Sequence, residues 1–271
     1  MIRLVVALPA EAKPLISYYN LKPAAEARGF RIYQKDEMTL IVSGVGKAAA
    51  AAATGYLQAW TGNQPNGVWI NVGMGGHRDL LLGEGILAQQ ITDRATGRSW
   101  YPPPVLEVPS PRAPVLTVDK VEEDFEDDWV FEMEAAGFYE SACRFSTSEL
   151  VQCFKIISDN WSVPPRWLST RQVDELLESR FPEIDAVVQA TAGLAAELAA
   201  LSKDHPELEK LLDRWHFTVS EQRRLHRLLQ RWQALAPEKE IFDRELERQK
   251  TGKEVLGAIQ ARIESLPVRL L

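Results

Sequence analysis

Acidic side chains lie next to apolar segments at three places in this 271-residue chain. Glu11 and Asp159 each follow a short apolar run, whereas Glu132 and Glu134 open a stretch with helical character. Carboxyl groups can act as general acids, as general bases or as ligands for polar molecules. This pattern alone predicts a polar-ligand site and leaves its reaction open.

The apolar runs predict the strands that would position these acids. Ile2–Leu8 is nearly continuous in apolar residues, which is typical of a strand buried on both faces. Ligands of open α/β sheets bind beyond the carboxyl ends of the strands, where these acids are expected. Further predicted strands are Thr39–Ser43, Gly67–Val72, Gly85–Ala88, Val115–Val118 and Val151–Ile157, and predicted helices are Lys47–Trp60, Met133–Phe145 and Pro182–Leu201. We therefore predict a three-layer α/β fold, with a mixed sheet that carries helices on both faces.

Glycine-rich turns are predicted after two of these strands, at Gly44–Gly46 and at Gly73–Gly76. A loose Gly-x-Gly pattern is weak evidence for nucleotide binding, because glycine also serves tight turns. The acids have structural interpretations too. Glu11 at a helix start is favoured by the helix dipole, and Ser158–Asp159 is compatible with a simple cap or turn. Only the conjunction of these features favours a binding site.

The composition is ordinary for a globular protein, with 45% hydrophobic and 25% charged residues. A net charge of −7 argues against a protein that coats nucleic acid. Cys143 and Cys153 match neither a zinc pattern nor a disulfide framework, and we predict no metal and no cofactor. The first residues lack a leader-peptide pattern, and no apolar run is long enough to span a membrane, so we expect a cytoplasmic protein.

Residues 203–271 differ from residues 1–202 and are predicted to form a small all-α extension. Their net charge is +2, against −9 for residues 1–202. Within the predicted helix Val219–Leu235, leucines and Trp232 recur at helical spacing, and four arginines lie largely off that stripe. We interpret the extension as a helical bundle with a solvated basic face. The alternative is a docking surface for an acidic protein partner, RNA or another subunit.

Five segments of residues 1–202, taken together, resemble the nucleoside phosphorylase superfamily. They read ALPAEAKPL (Ala7–Leu15), SGVGKAAAAAAT (Ser43–Thr54), NVGMGGHRDLLLGEG (Asn71–Gly85), EMEAAG (Glu132–Gly137) and IISDN (Ile156–Asn160). The order is the same as in that superfamily, and the branch that contains methylthioadenosine/S-adenosylhomocysteine nucleosidase is the most similar. The resemblance implies the three-layer fold, a purine nucleoside as ligand, and a homo-oligomer, by analogy a dimer.

The resemblance also implies roles for individual residues. Asp159 matches the acid that protonates N7 of the leaving purine, with Ser158 orienting it. Glu11 matches the carboxylate that activates water, Glu134 the one that holds the ribose hydroxyls, and Met133 the residue packed against the sugar. Cleavage of an N-glycosidic bond places positive charge on the ribose and negative charge on the purine, so it requires one protonated and one ionised carboxyl group.

Some positions depart from the family pattern. Four further residues of the motifs are expected to contact the substrate: Gly73, Met74, Gly75 and Glu132. Met74 stands where the family commonly has a small polar residue, and Lys155 lies in a stretch that usually carries arginine. The acidic segment 119–131 is short, which leaves open the identity of the substrate and whether activity is retained.

Water is the predicted nucleophile, because the arginine-bearing phosphate motif of the phosphorylases is missing and Glu11 would repel phosphate. Lys47, His77 and Arg78 are the residues that could overturn this prediction, although Lys47 is expected mainly to start its helix and His77 to lie in a surface loop. The leading hypothesis is a nucleosidase that releases adenine from methylthioadenosine, S-adenosylhomocysteine or 5′-deoxyadenosine. The alternatives are a purine nucleoside phosphorylase and a non-catalytic nucleoside-binding scaffold whose helical tail binds a partner.

Overall fold

The computed structural model describes residues 1–62, 66–121, 128–163, 168–201 and 205–266, so the acidic segment 119–131 lies partly outside the described residues. The strands are β1 (Ile2–Val6), β2 (Lys22–Pro23), β3 (Arg31–Lys35), β4 (Met38–Val42), β5 (Val68–Gly76), β6 (Gly85–Asp93), β7 (Ser99–Trp100), β8 (Arg112–Thr117), β9 (Val130–Glu132) and β10 (Val151–Asp159). The helices are α1 (Pro9–Tyr18), α2 (Lys47–Trp60), α3 (Ala135–Ala142), α4 (Thr170–Glu178), α5 (Phe181–Leu201), α6 (Leu208–Arg214), α7 (Val219–Leu235), α8 (Arg244–Glu247) and α9 (Gly252–Glu264).

These strands form one mixed sheet. Its order is β10-β6-β8-β9-β5-β1-β4-β3-β2, with β7 paired to β6. Because β5 also pairs with β10, the strands β5, β10, β6, β8 and β9 close into a ring. Strands β4, β1, β5 and β10 run parallel to their neighbours in that series, so their carboxyl ends meet at one edge of the sheet.

Strand β1 illustrates why helices cover both faces of the sheet. Successive side chains of a strand point to opposite faces. Leu4 and Val6 pack into a core with side chains of α1, α4 and α5. Val5 packs into a second core with side chains of α2 and α3. All three side chains are fully buried, and the predicted three-layer α/β architecture is confirmed.

Two boundaries predicted near the carboxyl ends of strands are wrong. The predicted turn Gly73–Gly76 lies inside β5. Its glycines serve close packing, since a Cβ at Gly75 would lie 2.8 Å from Val130 Cγ1 of the neighbouring strand. Glu132 was predicted to open a helix, but it is the last residue of β9, and α3 follows it.

The chain packs as two units, Met1–Ala196 and Glu197–Leu271. The division between the units falls within α5, which continues to Leu201, whereas the predicted extension begins at Lys203. No helix in the described ranges combines the length and the apolar character needed to cross a membrane.

The second unit has a hydrophobic core of its own. Trp215, Phe217 and Trp232 are buried in that core together with leucines and isoleucines of α6, α7 and α9. The indole N–H groups of Trp215 and Trp232 donate to backbone carbonyls, which satisfies their polar atoms. These aromatic side chains therefore pack inside the unit and are not presented for stacking on bases.

Candidate functional site

Glu11 is held at the start of α1 by backbone amides. Ala7 N and Leu8 N donate to its Oε2 at 3.0 and 2.9 Å, and Met74 N of β5 donates to Oε1 at 3.2 Å. The residue is only 3% exposed. Both carboxyl oxygens are bonded, so the orientation of this side chain is fixed by the connection between β1 and α1 and by β5.

Glu132 caps the start of α3 and anchors it to β8. Its Oε2 accepts hydrogen bonds from Glu134 N at 2.9 Å and from Ala135 N at 2.8 Å. Amides in the first turn of a helix have no carbonyl partner within the helix, so a carboxylate there stabilises it. The Thr117 hydroxyl donates to Oε1 of Glu132 at 2.5 Å. Glu132 is thus fully engaged by the protein itself.

Lys155 of β10 brings a buried positive charge to these acids. Its Nζ lies 2.7 Å from Glu132 Oε2 and 4.0 Å from Glu134 Oε2. Lys155 faces Gly73 across the β10–β5 pairing. A Cβ at Gly73 would lie 3.4 Å from both Lys155 Nζ and Glu11 Oε1, so glycine leaves room for the two charged groups. We call Glu11, Glu132, Glu134 and Lys155 the carboxylate–lysine cluster.

Among the described contacts, the Glu134 carboxyl group accepts fewer hydrogen bonds than those of Glu11 and Glu132. Gly46 N, in the turn between β4 and α2, donates to its Oε1 at 2.8 Å. Gly46 has a φ of +102°, a backbone conformation that favours glycine. Oε2 of Glu134 has Lys155 as its charged neighbour at 4.0 Å. One oxygen is therefore fixed by a tight turn, and the other interacts with the lysine at longer range.

Burial and charge set the protonation of the cluster. Burial raises the pKa of Glu11, against the opposing influence of its backbone donors and of Lys155. Burial raises the pKa of Glu134 to about 7, with Lys155 opposing and Glu132 adding to the shift. For Lys155, burial acts to lower the pKa, but Glu132 and Glu134 outweigh it and the pKa is raised. The cluster therefore retains its ammonium, and one of its carboxyl groups titrates near neutral pH.

Asp159 lies at the end of β10, beyond an irregularity in the sheet. Ile157 pairs with Gly75 and Asp159 pairs with Gly76, so the register shifts at Ser158. Such bulges re-aim side chains at strand ends. Ser158 Oγ donates to Asp159 Oδ1 at 2.5 Å. Burial raises the pKa of Asp159, and the bond from Ser158 partly offsets that shift.

The acidic and basic residues predicted from sequence form two groups, one beside Lys155 and one at the end of β10. Glu11, Glu132, Glu134 and Lys155 come together in the cluster, whereas Asp159 lies farther along the strand. The four-residue step from Lys155 to Asp159 corresponds to roughly 13 Å of extended strand. The arrangement therefore provides two separate carboxyl positions on the carboxyl-end side of one sheet.

The two predicted methionines pack at the margins of this region. Met133 is half-buried against the small core of Leu116, Val118 and Phe131. Met74 is half-buried against the core that contains α1 and α5, while its backbone amide serves Glu11. Met74 therefore contributes to the cluster through its backbone amide. This is compatible with a side chain that departs from the family pattern at that position.

Lys47 begins α2, as predicted, and its charge is used away from the cluster. Its Nζ lies 2.7 Å from Asp93 Oδ1 and 3.0 Å from Asp119 Oδ1. The hydrogen bond that Lys47 donates to Asp93 raises the pKa of Lys47. This ammonium is therefore paired with two carboxylates.

His77 was expected in a surface loop, and this expectation is wrong, because the residue is only 3% exposed. Its Nδ1 accepts hydrogen bonds from Asp79 N at 3.0 Å and from Leu80 N at 3.1 Å. Its Nε2 lies 3.0 Å from Asp128 Oδ1. A histidine can be buried without penalty when both ring nitrogens have partners.

Thr117 and Gly46 contribute contacts to the site that the sequence did not predict. Gly46 belongs to a predicted glycine-rich turn, so its conformation had a signal, but its partner Glu134 did not. Thr117 carries no local signal, because its contact with Glu132 joins two strands that become neighbours only in the folded sheet.

The cluster and Asp159 can perform acid–base chemistry. A partly buried carboxyl with a raised pKa can donate a proton, and fixed carboxylates can stabilise a developing positive charge. Within the part of the chain that the structure describes, no three His, Cys, Asp or Glu side chains are grouped to hold a metal ion.

Solved structures of known proteins have a fold similar to that of this chain. No protein-family model and no curated protein sequence matches this chain. A 5′-methylthioadenosine/S-adenosylhomocysteine nucleosidase from Colwellia psychrerythraea 34H, in complex with adenine, is 17% identical, with a TM-score of 0.53, over 71% of this chain and 94% of that one. Native futalosine hydrolase of Helicobacter pylori strain 26695 is 13% identical, with a TM-score of 0.56, over 69% of this chain and 97% of that one. This chain therefore shares the fold of these two enzymes.

Proposed function

We propose that this chain is a nucleosidase that hydrolyses the N-glycosidic bond of a 5′-substituted adenosine. The observation that carries the proposal is the buried carboxylate–lysine cluster, together with a separate, partly buried Asp159 on the same strand. Both lie where ligands bind in sheets of this kind. The fold it shares with nucleosidases supports the same class of reaction.

In the proposed reaction Asp159 is the general acid. Burial raises its pKa, which favours the protonated form needed to donate to N7 of the purine. The Ser158 hydroxyl, bonded to Oδ1, restricts the rotation of the carboxyl group. Proton transfer to the purine lets the base leave as a neutral molecule, so negative charge does not accumulate on it.

Glu11 is proposed to orient and deprotonate the attacking water. Burial raises its pKa, and a carboxylate of higher pKa accepts a proton from water more readily. The three backbone donors and Lys155 oppose that shift and favour the ionised form. The same negative charge stabilises the oxocarbenium character that develops on the ribose.

The other predicted residues have supporting roles in this proposal. Glu134 holds the ribose hydroxyls through Oε2, the oxygen that does not accept from Gly46 N. Met133 packs against the sugar. The site beside Glu11 is lined by residues 73–75 of β5: Gly73, Met74 and Gly75. Glu132 holds Lys155 and the start of α3 in place.

Charge favours water over phosphate as the nucleophile. Lys155, the ammonium of the cluster, is already paired with Glu132 at 2.7 Å. Lys47 is paired with Asp93 and Asp119. A phosphate dianion needs donors and positive charge that are not neutralised by carboxylates. Placed beside Glu11 and Glu134 it would be repelled, which disfavours the phosphorylase alternative.

The test measures release of the free base from a panel of nucleosides. Reactions are run with and without phosphate, and the base is detected by chromatography. The panel contains methylthioadenosine, S-adenosylhomocysteine, 5′-deoxyadenosine and futalosine. We expect turnover without phosphate, and a loss of at least about 100-fold in Glu11→Gln and Asp159→Asn. Glu178→Gln, an exposed acid on α4, is the matched control and should retain full activity.

Two other outcomes would replace the proposal. Turnover that requires phosphate would identify a phosphorylase. Folded protein that binds adenosine but releases no base under either condition would favour the nucleoside-binding scaffold. In that case Asp159→Asn would leave adenosine binding mostly intact.

We further propose a homodimer and a cytoplasmic location. The dimer is implied by the family resemblance and is tested by light scattering on the full chain. Two free cysteines, Cys143 and Cys153, are typical of a reducing compartment. The exposed side chains of Arg223, Arg227 and Arg231 on α7 support a protein partner with an acidic surface for the helical tail.

A further inference from the structure

His77 is a buried histidine whose bonds connect three segments around the proposed site. It directly follows β5, and its backbone N–H donates to Asp159 O at 3.0 Å. Its Nδ1 accepts from Asp79 N and Leu80 N. Because Nδ1 acts as an acceptor, the proton of the neutral ring is on Nε2, which faces Asp128 Oδ1 at 3.0 Å.

The turn that His77 organises supports the residues around Asp159. Leu80 O accepts a hydrogen bond from Asn160 Nδ2 at 2.8 Å. Arg78 O accepts from Trp161 N at 3.2 Å. Both ends of the turn 78–80 thus hold the chain immediately after Asp159.

The segment before Asp159 is held by the far end of the same loop. Gly83 N donates to Ile157 O at 2.7 Å, and Ile157 N donates to Glu84 O at 2.9 Å. The register shift at Ser158 lies between these bonds and the bond from His77 N. Residues 77–84 therefore clamp both sides of the bulge that sets the direction of the Asp159 side chain.

Asp128 connects the same histidine to the carboxylate–lysine cluster. It lies two residues before β9, which pairs with β5 through Phe131 and Gly76 and ends at Glu132. Glu132 in turn holds Lys155. The His77 ring therefore lies between the strand end that carries Asp159 and the strand that carries Glu132.

We propose that His77 is a positioning residue that keeps Asp159 aligned with the carboxylate–lysine cluster, through the turn 78–80 and through Asp128. The inference rests on the proposed nucleosidase function for its kinetic consequence. Its structural consequence, the ordering of residues 157–161, does not depend on that function.

The kinetic test compares His77→Ala, His77→Asn and Asp128→Asn with the unaltered chain. Alanine removes both sets of bonds and should lower kcat for base release at least tenfold, with KM changed less than about twofold. Asparagine can accept from the Asp79 and Leu80 amides in an Asx turn, so His77→Asn should recover most of that loss. Asp128→Asn weakens the outer contact alone and should lower kcat by a smaller factor. His216→Ala, an exposed histidine of the second unit, is the control.

Hydrogen–deuterium exchange on the same four variants supplies a readout that is independent of turnover. His77→Ala should accelerate amide exchange at Asn160 and Trp161, and His216→Ala should not. If kcat per folded molecule and this exchange are both unchanged in His77→Ala, the inference is overturned. A chain without turnover in which exchange still responds would contradict the proposed function and leave the positioning inference standing.

Discussion

Lys155 Nζ lies 2.7 Å from Glu132 Oε2, and both side chains are completely excluded from solvent. The pair joins β10 to the end of β9 and, through the amides of Glu134 and Ala135, to α3. Removing one partner of a buried ion pair is strongly destabilising, because the other charge is left without compensation. The pair is therefore a structural requirement for the geometry of the whole cluster.

Replacement of Lys155 by methionine should destabilise the protein by about 3–5 kcal/mol. The variant keeps an unbranched side chain, shorter by one atom, but leaves Glu132 and Glu134 without their shared cation. It also removes the influence of Lys155 that lowers the pKa of Glu11. The free energy of unfolding in urea at pH 7 measures the effect.

A second substitution distinguishes lost charge from lost packing. Adding Glu132→Gln to Lys155→Met removes the uncompensated negative charge while keeping an oxygen that can cap α3. The double variant should therefore be more stable than Lys155→Met alone. If the two unfold at the same urea concentration, the loss comes from packing and the pair is not electrostatically significant.

Glu134 should make stability depend on pH between about 4.5 and 7. Burial raises its pKa from 4.5 to about 7, so the folded state binds more protons than the unfolded state in that window. Stability then falls as the pH rises through the window, by about 3 kcal/mol at most. Glu134→Gln resembles the protonated form and lacks this dependence.

The measurement is the difference in unfolding free energy between Glu134→Gln and the unaltered chain, from pH 4 to pH 8. The difference should move in favour of the variant as the pH rises and become constant above about pH 8. Glu178→Gln, on the exposed surface of α4, should show no such trend. A flat difference for Glu134→Gln would mean that the pKa of its carboxyl group is the same in the folded and unfolded states.

The layers of the fold could be predicted from sequence because their signals are local. Val5 lies in an apolar run that only Arg3 interrupts, which identifies a strand covered on both faces. The prediction failed at the end of β5, where four residues with weak strand preference extend the strand. Pairing with β9 and β10 overrides that preference, and neither partner is close in sequence.

The site could be predicted only as a set of residue types. Glu11, Glu134 and Asp159 were identified because each stands beside a recognisable segment. The function of Glu132 as a cap and anchor depends on Thr117 and Lys155, which reach it from β8 and β10. The burial of His77 depends likewise on Asp128. Such contacts follow from the order of strands in the sheet, which periodicity does not specify.

Ser158→Ala should shift the alkaline limb of the pH–rate profile to higher pH. The hydrogen bond from Ser158 lowers the pKa of Asp159, so its loss raises that pKa further. An acid that must be protonated then remains active at higher pH. The maximal rate should fall by about tenfold because the carboxyl group is less well oriented.

The profile of kcat/KM between pH 5 and pH 9 tests this prediction, with Ser162→Ala, an exposed serine three residues beyond Asp159, as the control. An alkaline limb that stays in place or moves to lower pH would exclude Asp159 as the proton donor. It would direct attention to Glu134, whose pKa of about 7 also lies within this range.

Gly75→Ala should destabilise the sheet at its closure. The added Cβ would lie 2.8 Å from Val130 Cγ1 and 3.0 Å from Phe131 O, so β9 must move away from β5. Overpacking of this kind typically lowers stability by about 1–3 kcal/mol. Because β9 carries Glu132, the displacement should also lower the rate of base release.

Gly193→Ala is the matched control for Gly75→Ala. Gly193 lies within α5, and nothing lies within 4 Å of a Cβ added there. Alanine in a helix interior is more favourable than glycine by about 0.5–1 kcal/mol, so this variant should have a higher Tm. Opposite signs for the two substitutions would attribute the effect of Gly75→Ala to the β5–β9 contact. If both substitutions change Tm equally, β9 moves easily to accommodate the added Cβ. Gly75 would then be explained by the approach of a ligand to the backbone of β5.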